Sequence, residues 1–527
     1  MSKSMTVQEL KSLINGQDSY ALVDVRERGE FNQAQIFGAT SLPRRELEFQ
    51  LSRLVPVSGT LLVLCDDDGR RATLAASTVE RMGYTNVTTL KGGLDAWSAA
   101  GHELVEGTNT PSKDFGEKVL VQQDVPEIEP AELYARIQRG ERLTILDCRT
   151  PEEFQRSTIP GSHSVPGGEL ALRITDIMLE QVGPVIVHCA GRTRSIIGTR
   201  VLNRMGLTEV VGLKNGTMGW LLAGYELQEG ATLESLPVPS KEGLAAAEEF
   251  ASRLAAEDGV EYMSVDRLQE LLARRQEETL YLVDVRGAGE YEAGHIPGSA
   301  WIPGGQAVQR TDEVVAVRNS TVVLVCDGRV RATVTASWYR QMGLLNVYVL
   351  DGGVTAWQER GLALEKDSYD QPPAGLDAAT ALTSFVAPVR LRDMMDSADL
   401  PLIIDLETSR DFGRGHLPGA RWVPRGWLEI RIGEYIKSKE SPIVLTCKDG
   451  VGSVLAGAAL RELGYTQVSV LEGGAGAWQA DGLPLETGLT GLDGEPNDVV
   501  MLSIGDRARM EYYLTWEEAL GRKYESG

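Results

Sequence analysis

The sequence predicts an α/β chain built from four tandem domains, each a doubly wound, mostly parallel sheet flanked by helices. Three recurring segments carry that prediction. An apolar strand ending in Asp appears as LVDVRERGEF (22–31), ILDCRTPEEF (145–154), LVDVRGAGEY (282–291) and IIDLETSRDF (403–412). A second apolar strand runs into a cysteine loop at CDDDGRRA (65–72), HCAGRTRS (188–195), CDGRVRA (326–332) and CKDGVGS (447–453). A glycine turn ending in tryptophan, LKGGLDAW, LKNGTMGW, LDGGVTAW or LEGGAGAW, closes each unit.

The ruler between these segments is nearly constant. Asp24 to Cys65 is 41 residues, and Asp147 to Cys189, Asp284 to Cys326 and Asp405 to Cys447 are each 42. Cysteine to tryptophan is 32 residues in the first unit and 31 in the others, so the first loop reads as carrying one extra residue after Cys65.

Each unit is expected to run strand, turn, helix, strand, cysteine loop, helix, strand, glycine turn. The runs LLVL, VIVH, VVLV and IVLT are short and aliphatic, as strands buried on both faces tend to be. The helix after each loop should stop near Gly83, Gly206, Gly343 or Gly464. Acidic or Pro-containing connections at 106–130, 229–241 and 366–376 place the domains at 1–115, 116–239, 240–375 and 376–490, with a tail at 491–527. The opening MSKSMTVQELKSLINGQ reads as an amphipathic helix. Ser240 should cap another, KEGLAAAEEFASRLAAE, that packs between the two halves of the chain. The tail RARMEYYLTWEEALGRKYE is also expected to be helical. Tyr512, Tyr513 and Trp516 would dock it on a neighbouring domain, with no part in catalysis.

A length of 527 residues suits three to five domains, and 42% apolar with 24% charged residues is ordinary globular composition. A formal charge of −23 excludes a general nucleic-acid surface. No apolar run approaches the ~20 residues of a membrane span, and no secretory apolar core opens the chain, so a reducing cytoplasm is expected. Five cysteines without a CxxC pair argue against a disulfide framework and a zinc site.

The loop chemistry follows from position. A cysteine after a strand and before a helix meets backbone N–H groups and a helix dipole that favour negative charge. These lower a thiol pKa, and arginine adds paired donors for an oxyanion. The site is therefore one for a thiolate and an anionic substrate.

Together the Asp-x-Arg segment, the HIPGS-type turn, the C-x4-R loop and the glycine-tryptophan turn resemble those of rhodaneses, over nearly all of residues 5 to 487. The resemblance implies sulfurtransferase chemistry: a cysteine takes a sulfane sulfur from thiosulfate or a similar small anionic donor. It becomes a persulfide and passes the sulfur to cyanide, a small thiol or a protein thiol, a chemistry that the resemblance implies needs no metal or organic cofactor. Cys189 and Cys326 are the expected nucleophiles. The loops Ala190, Gly191, Arg192, Thr193, Arg194 and Asp327, Gly328, Arg329, Val330, Arg331 should bind the donor, with arginine matching arginine. Arg149 is expected in a structural ion pair, His188 pointing away from the thiol, His295 in a structural hydrogen bond and Cys148 in the core.

The first and fourth units depart from the pattern. Cys65 to Arg71 reads as a seven-residue loop, the length used by related dual-specificity phosphatases, but three aspartates follow the thiol. Cys447 lacks a closing arginine, and Glu407 replaces the arginine of the Asp-x-Arg pair. Cys65, Arg71 and Cys447 are thus weak sites, with a scaffold role expected for both domains. Arg44 and Arg425 follow a proline where the other two units have Pro-Gly-Gly, and a rim salt bridge is their expected role. Two further readings stay open: a non-catalytic anion-binding or sulfur-carrier scaffold, and a cysteine phosphatase.

Overall fold

The computed structural model describes residues 3–181, 183–366, 372–397, 400–492, 494–500 and 504–525. Within them each unit forms a parallel sheet with helices on both faces. In the second domain the strand order is Glu127–Ile128, Val210–Leu213, Val185–His188, Thr144–Asp147, Ser162–Ser164. The third repeats it with Glu261–Met263, Val347–Leu350, Thr321–Val325, Leu280–Asp284 and Ala300–Trp301. The fourth does so with Ser384–Val386, Val468–Leu471, Ile443–Thr446, Leu402–Asp405 and Arg421–Trp422. The first uses Lys3–Met5, Val87–Leu90, Leu61–Cys65, Tyr20–Asp24 and Thr40–Ser41. The two central strands, buried on both faces, end side by side at the loop. The helices after the loops stop as expected, each followed by a left-handed glycine: Gly83, Gly206, Gly343 or Gly464. The opening segment is not wholly helical: Lys3–Met5 is a strand, and the helix Val7–Ile14 starts at a capping box of Thr6 and Glu9.

The chain divides into two compact units, and each is a nested pair of domains. One holds residues 1–108 and 370–501, the other 109–369 and 502–527. In the first unit, domains one and four meet through their Pro-Arg turns. The buried Arg44 donates to Glu429 at 2.9 Å and to the Gly426 carbonyl at 3.0 Å, while Arg425 also pairs with Glu429 at 2.9 Å. Arg44 thus joins the two domains, and Arg425 also reaches Glu48 of domain one at 3.9 Å, so neither is free to enter a pocket.

In the second unit, domains two and three meet through their Pro-Gly-Gly turns. A Cβ on Gly168 would lie 3.1 Å from the Gly304 nitrogen, so a side chain there would separate the backbones. Arg331 of domain three crosses to Glu169 of domain two at 2.6 Å. The Ser240-capped helix Lys241–Asp258 packs between these two domains, one from each half of the chain. Asp176 accepts from the Ser240 N–H at 3.1 Å, and Asp258 accepts from Arg204 at 2.8 Å and from the Ser337 hydroxyl.

Two expected boundaries move. The helix Thr110–Gln122 runs through the boundary placed at 115 and belongs wholly to the second unit, where Ser112 donates to the Gln309 carbonyl at 2.6 Å. The segment after 490 is shared: Asp498 accepts from the Ser409 N–H (2.8 Å) and hydroxyl (2.6 Å) in the first unit, and the helix Arg507–Gly521 lies in the second. No helix among the described residues is long and apolar enough to cross a membrane.

Candidate active site

In domain two the register pairs Asp147 with His188, and Cys189 is the first residue beyond the strand. The chain then turns into the helix Thr193–Met205, whose Ser195 N–H faces the thiol. Cys189 is buried, with its Sγ 3.3 Å from the Ser195 hydroxyl. Arg194 stands beside it, held by both Glu153 oxygens at 2.6 and 2.9 Å. Burial alone would push the thiol up. A hydrogen bond from the Cys148 thiol, the Arg194 charge and the Ser195 donors outweigh it, and Cys189 falls from 9.0 to about 6. At neutral pH this sulfur is a thiolate.

The other residues of that loop divide by direction. Arg192 does not enter the pocket: its guanidinium is committed to Glu117 (3.0 Å to Oε2), Asn215 (2.9 Å) and Glu518 (3.4 Å). Thr193 donates to Glu517 at 2.7 Å, the Ala190 carbonyl accepts from the Met218 N–H at 3.0 Å, and Gly191 leaves room for Tyr513 and Glu517. Arg149 pairs with Asp147 at 2.6 Å. His188 lies on the other side of the strand, bonded to the Ser162 hydroxyl at 2.9 Å, and burial lowers its pKa.

The C-terminal helix, expected to take no part in this site, covers the loop. Met510 and Leu514 pack on Met218, Glu517 and Glu518 hold Thr193, Arg192 and Asn215, and the buried Lys113 lies 4.9 Å from the Tyr513 ring centre and 5.0 Å from that of Trp516. Tyr513 and Trp516 thus contact domain two, whereas Tyr512 is exposed. No signal within the tail marks this contact: Glu517 is almost fully buried, which the mixed pattern of the helix does not show.

Domain three repeats the geometry with different electrostatics. Arg331 is shared by Glu290 (2.6 Å), Glu169 (2.6 Å) and Asp327 (2.9 Å), so its charge is overcompensated. Burial and the adjacent Asp327 push Cys326 up to about 12. Arg329 turns outward to Asp351 and the Tyr262 ring, Gly328 is open to added side-chain volume, and Val330 is buried. The two loops match in sequence, but only the Cys189 loop holds a low-pKa thiol. His295 bonds the Tyr291 carbonyl at 3.0 Å and stacks on its ring.

Domain one differs from the expectation at its loop. Asp24 pairs with Cys65, as Asp147 pairs with His188, so Cys65 is the last strand residue and not the loop residue. The Leu94 N–H bonds the Asp66 carbonyl, as the Thr217 N–H bonds that of Cys189. Asp66 therefore occupies the cysteine position, and the loop has six residues, not seven. This removes the basis for the phosphatase reading. Cys65 points into the hydrophobic cluster with Leu22, Phe31 and Trp97, where burial keeps it a thiol. The Asp66 carboxylate fills the loop, accepting N–H bonds from Gly69 (2.5 Å), Arg71 (2.7 Å) and Ala72 (3.2 Å). Arg71 is held by Glu30 at 2.6 Å and stacks 4.0 Å over Trp427.

In domain four, burial, with Glu407 and Asp449 nearby, pushes Cys447 up to about 11. Its Sγ lies 3.7 Å from Asp449, and no arginine closes the loop.

The sequence profile of the Rhodanese-like domain matches residues 6–100, 129–223, 264–360 and 387–481. The structure is similar to the crystal structure of a thiosulfate sulfurtransferase from Pseudomonas aeruginosa, with a TM-score of 0.86 and 36% identity, covering 99% of this chain and 98% of the other. The sequence is 27% identical over 243 residues to 3-mercaptopyruvate sulfurtransferase of Escherichia coli K12, covering 38% of this chain and 85% of that protein. It is 34% identical over 92 residues to a sulfurtransferase of Allochromatium vinosum, covering 18% and 83% respectively.

Proposed function

The chain belongs to the rhodanese-like family of sulfurtransferases, and from that premise we propose that Cys189 is its nucleophile and that it moves a sulfane sulfur from thiosulfate or a similar anion to a thiophilic acceptor. The observation that carries this reading is the buried Cys189 thiolate, facing the amides of a helix start and flanked by Arg194. Domain one supports it from within the same chain: at the equivalent position a carboxylate already occupies the loop amides, so this loop is built to hold an anion.

In the forward half-reaction the Cys189 thiolate attacks the outer sulfur of thiosulfate. The S–S bond to the sulfonate breaks, sulfite leaves with the electron pair, and Cys189 becomes a persulfide. The first-turn amides and Arg194 hold the negative charge on the outer sulfur. In the second half-reaction the acceptor attacks that sulfur and returns the thiolate. The acceptor is cyanide or a thiol, and a reducing compartment such as the cytoplasm keeps the five cysteines as free thiols for this chemistry.

The test is incubation of the reduced protein with thiosulfate, followed by peptide mass spectrometry. One sulfite released per chain, with the added sulfur found on the 174–192 peptide in rapidly quenched samples and removed by cyanide, is the expected result. No sulfur on Cys189 and no sulfite released would refute the proposal and leave a non-catalytic scaffold as the reading.

A further inference from the structure

Domain two differs from its sisters by one residue next to the nucleophile. Where the neighbouring strand end carries Val25, Val285 or Leu406, it carries Cys148. Asp147 and His188 are paired in register, the Cys148 N–H bonds the His188 carbonyl at 2.9 Å, and Cys148 and Cys189 follow them on adjacent parallel strands. Both side chains lie on the same sheet face, in one cluster with Leu146, Val187 and Leu170. Strands in a sheet run about 4.8 Å apart, inside the ~4.4–6.8 Å Cα window that a disulfide bridges without backbone movement. The two cysteines are free, buried thiols in this structure.

We infer that Cys148 is an intramolecular acceptor for domain two: it attacks the sulfur-loaded Cys189 and releases hydrosulfide. This rests on the persulfide chemistry proposed above. The step balances as Cys189–S–S⁻ plus Cys148–SH giving the Cys148–Cys189 disulfide plus HS⁻. A Cys148 Sγ–Cys189 Sγ bond forms and the Cys189 Sγ–outer sulfur bond breaks. The outer sulfur leaves with the electron pair and takes the Cys148 proton. A dithiol reductant then restores both thiols by two exchange steps. Proton transfer to the leaving sulfur matters because Cys148 is buried and held as a neutral thiol.

The surroundings favour an acceptor inside the protein. Tyr513, Leu514 and Glu517 of the C-terminal helix lie against Gly191, so a large acceptor meets a covered loop. Cys148 needs no entry path, and hydrosulfide is small enough to leave. Neither Cys326 nor Cys447 has such a neighbour, so the path is confined to domain two.

The experiment uses the reduced full-length chain, freed of reductant without air and given inorganic thiosulfate. Sulfite reports the first step and sulfide the second. Alkylation and non-reducing digestion then separate a 174–192 peptide carrying one extra sulfur from a 143–149/174–192 disulfide-linked pair. Expected for the wild type are the linked pair and one sulfide per chain, with continued turnover only when dithiothreitol is present. Cys148→Ser keeps a hydrogen-bond donor but no sulfur, and should hold at least tenfold more persulfide with no sulfide released; Cys148→Val should behave likewise. Sulfite released with a stable wild-type persulfide and no linked pair would overturn the inference and leave sulfur transfer standing. No sulfite from the wild type or either variant would overturn both.

Discussion

Arg194→Gln tests the electrostatics of the site most directly. Moving Cys189 from 9.0 to about 6 represents about 4 kcal/mol of preference for the thiolate, at ~1.4 kcal/mol per pH unit. That preference is shared by the Cys148 thiol, Arg194 and Ser195, in an interior where burial works against all three. A share of about one third for Arg194 raises the midpoint to near 7. The assay is the single-turnover rate of sulfur loading on Cys189, followed by quenched mass spectrometry from pH 5 to 9. The nucleophile is the deprotonated form, so the wild-type rate rises through about pH 6 and then levels. In Arg194→Gln the rise moves up by about one pH unit, giving roughly a fivefold loss at pH 6 and much less at pH 8. Arg194→Lys keeps the charge and the wild-type midpoint but loses paired donors, so its deficit falls on donor affinity. Glu153→Gln, which frees the guanidinium of its counter-charge, moves the midpoint down. An unchanged midpoint in Arg194→Gln, with weaker thiosulfate binding, would refute the argument and assign the arginine to the donor alone.

Four more outcomes follow from the geometry. At pH 7 sulfur loading should fall almost entirely on Cys189, since thiols at about 11 and 12 leave Cys447 and Cys326 with ~10⁻⁴ and ~10⁻⁵ thiolate; equal labelling of Cys326 would refute that ranking. Leu514→Ala removes a buried side chain that seats the C-terminal helix, costing about 2–4 kcal/mol locally, and should speed alkylation of Cys189 several-fold. Asp66→Ala should destabilise the first unit by about 3 kcal/mol in denaturant titration, because three loop amides lose their acceptor, and should leave Cys65 unlabelled by thiosulfate. Glu407→Arg restores the partner that the other three strand-end aspartates have. Burial raises Asp405 to about 7, so at present stability falls as pH rises from about 4 to 7; the variant should flatten that slope and gain about 1–2 kcal/mol at pH 7.

Much of this was legible in the sequence. The fourfold ruler gave the strands, the loops and the stop glycines, because each is fixed by local chain geometry. The misplaced first loop was legible too. Its spacings of 41 and 32 become 42 and 31 when Asp66 replaces Cys65 as the loop residue, matching the other units without an insertion. Residue type had drawn attention to the thiol, while register put a carboxylate in its place. The nested pairing also left a trace: domains one and four carry Pro-Arg where two and three carry Pro-Gly-Gly, and like turns with like. What could not be read was long-range. Nothing within the tail reveals that Glu517 reaches Thr193, and nothing within the strand ILDC reveals that Cys148 touches the nucleophile across the sheet.

The four loops share one backbone device, a strand end facing the amides of a helix, and differ in the charge placed around it. Domain one fills the device with its own carboxylate. Domain three supplies an arginine and neutralises it with three acids. Domain four lacks the arginine and sets acids beside the thiol. Only domain two combines a cysteine with an arginine held by a single carboxylate, and adds a second thiol that donates to the first. Fold therefore fixes where an anion sits, and a few side chains decide whether it is a carboxylate, a thiolate or absent. Arg331 is also paired with Glu169, a residue of the partner domain, so the charge balance around Arg331 is set across the pair. Glu169→Gln together with Asp327→Ala should therefore free Arg331 for the thiol and lower the pH at which Cys326 is alkylated, a change no inspection of the CDGRVR loop alone would indicate.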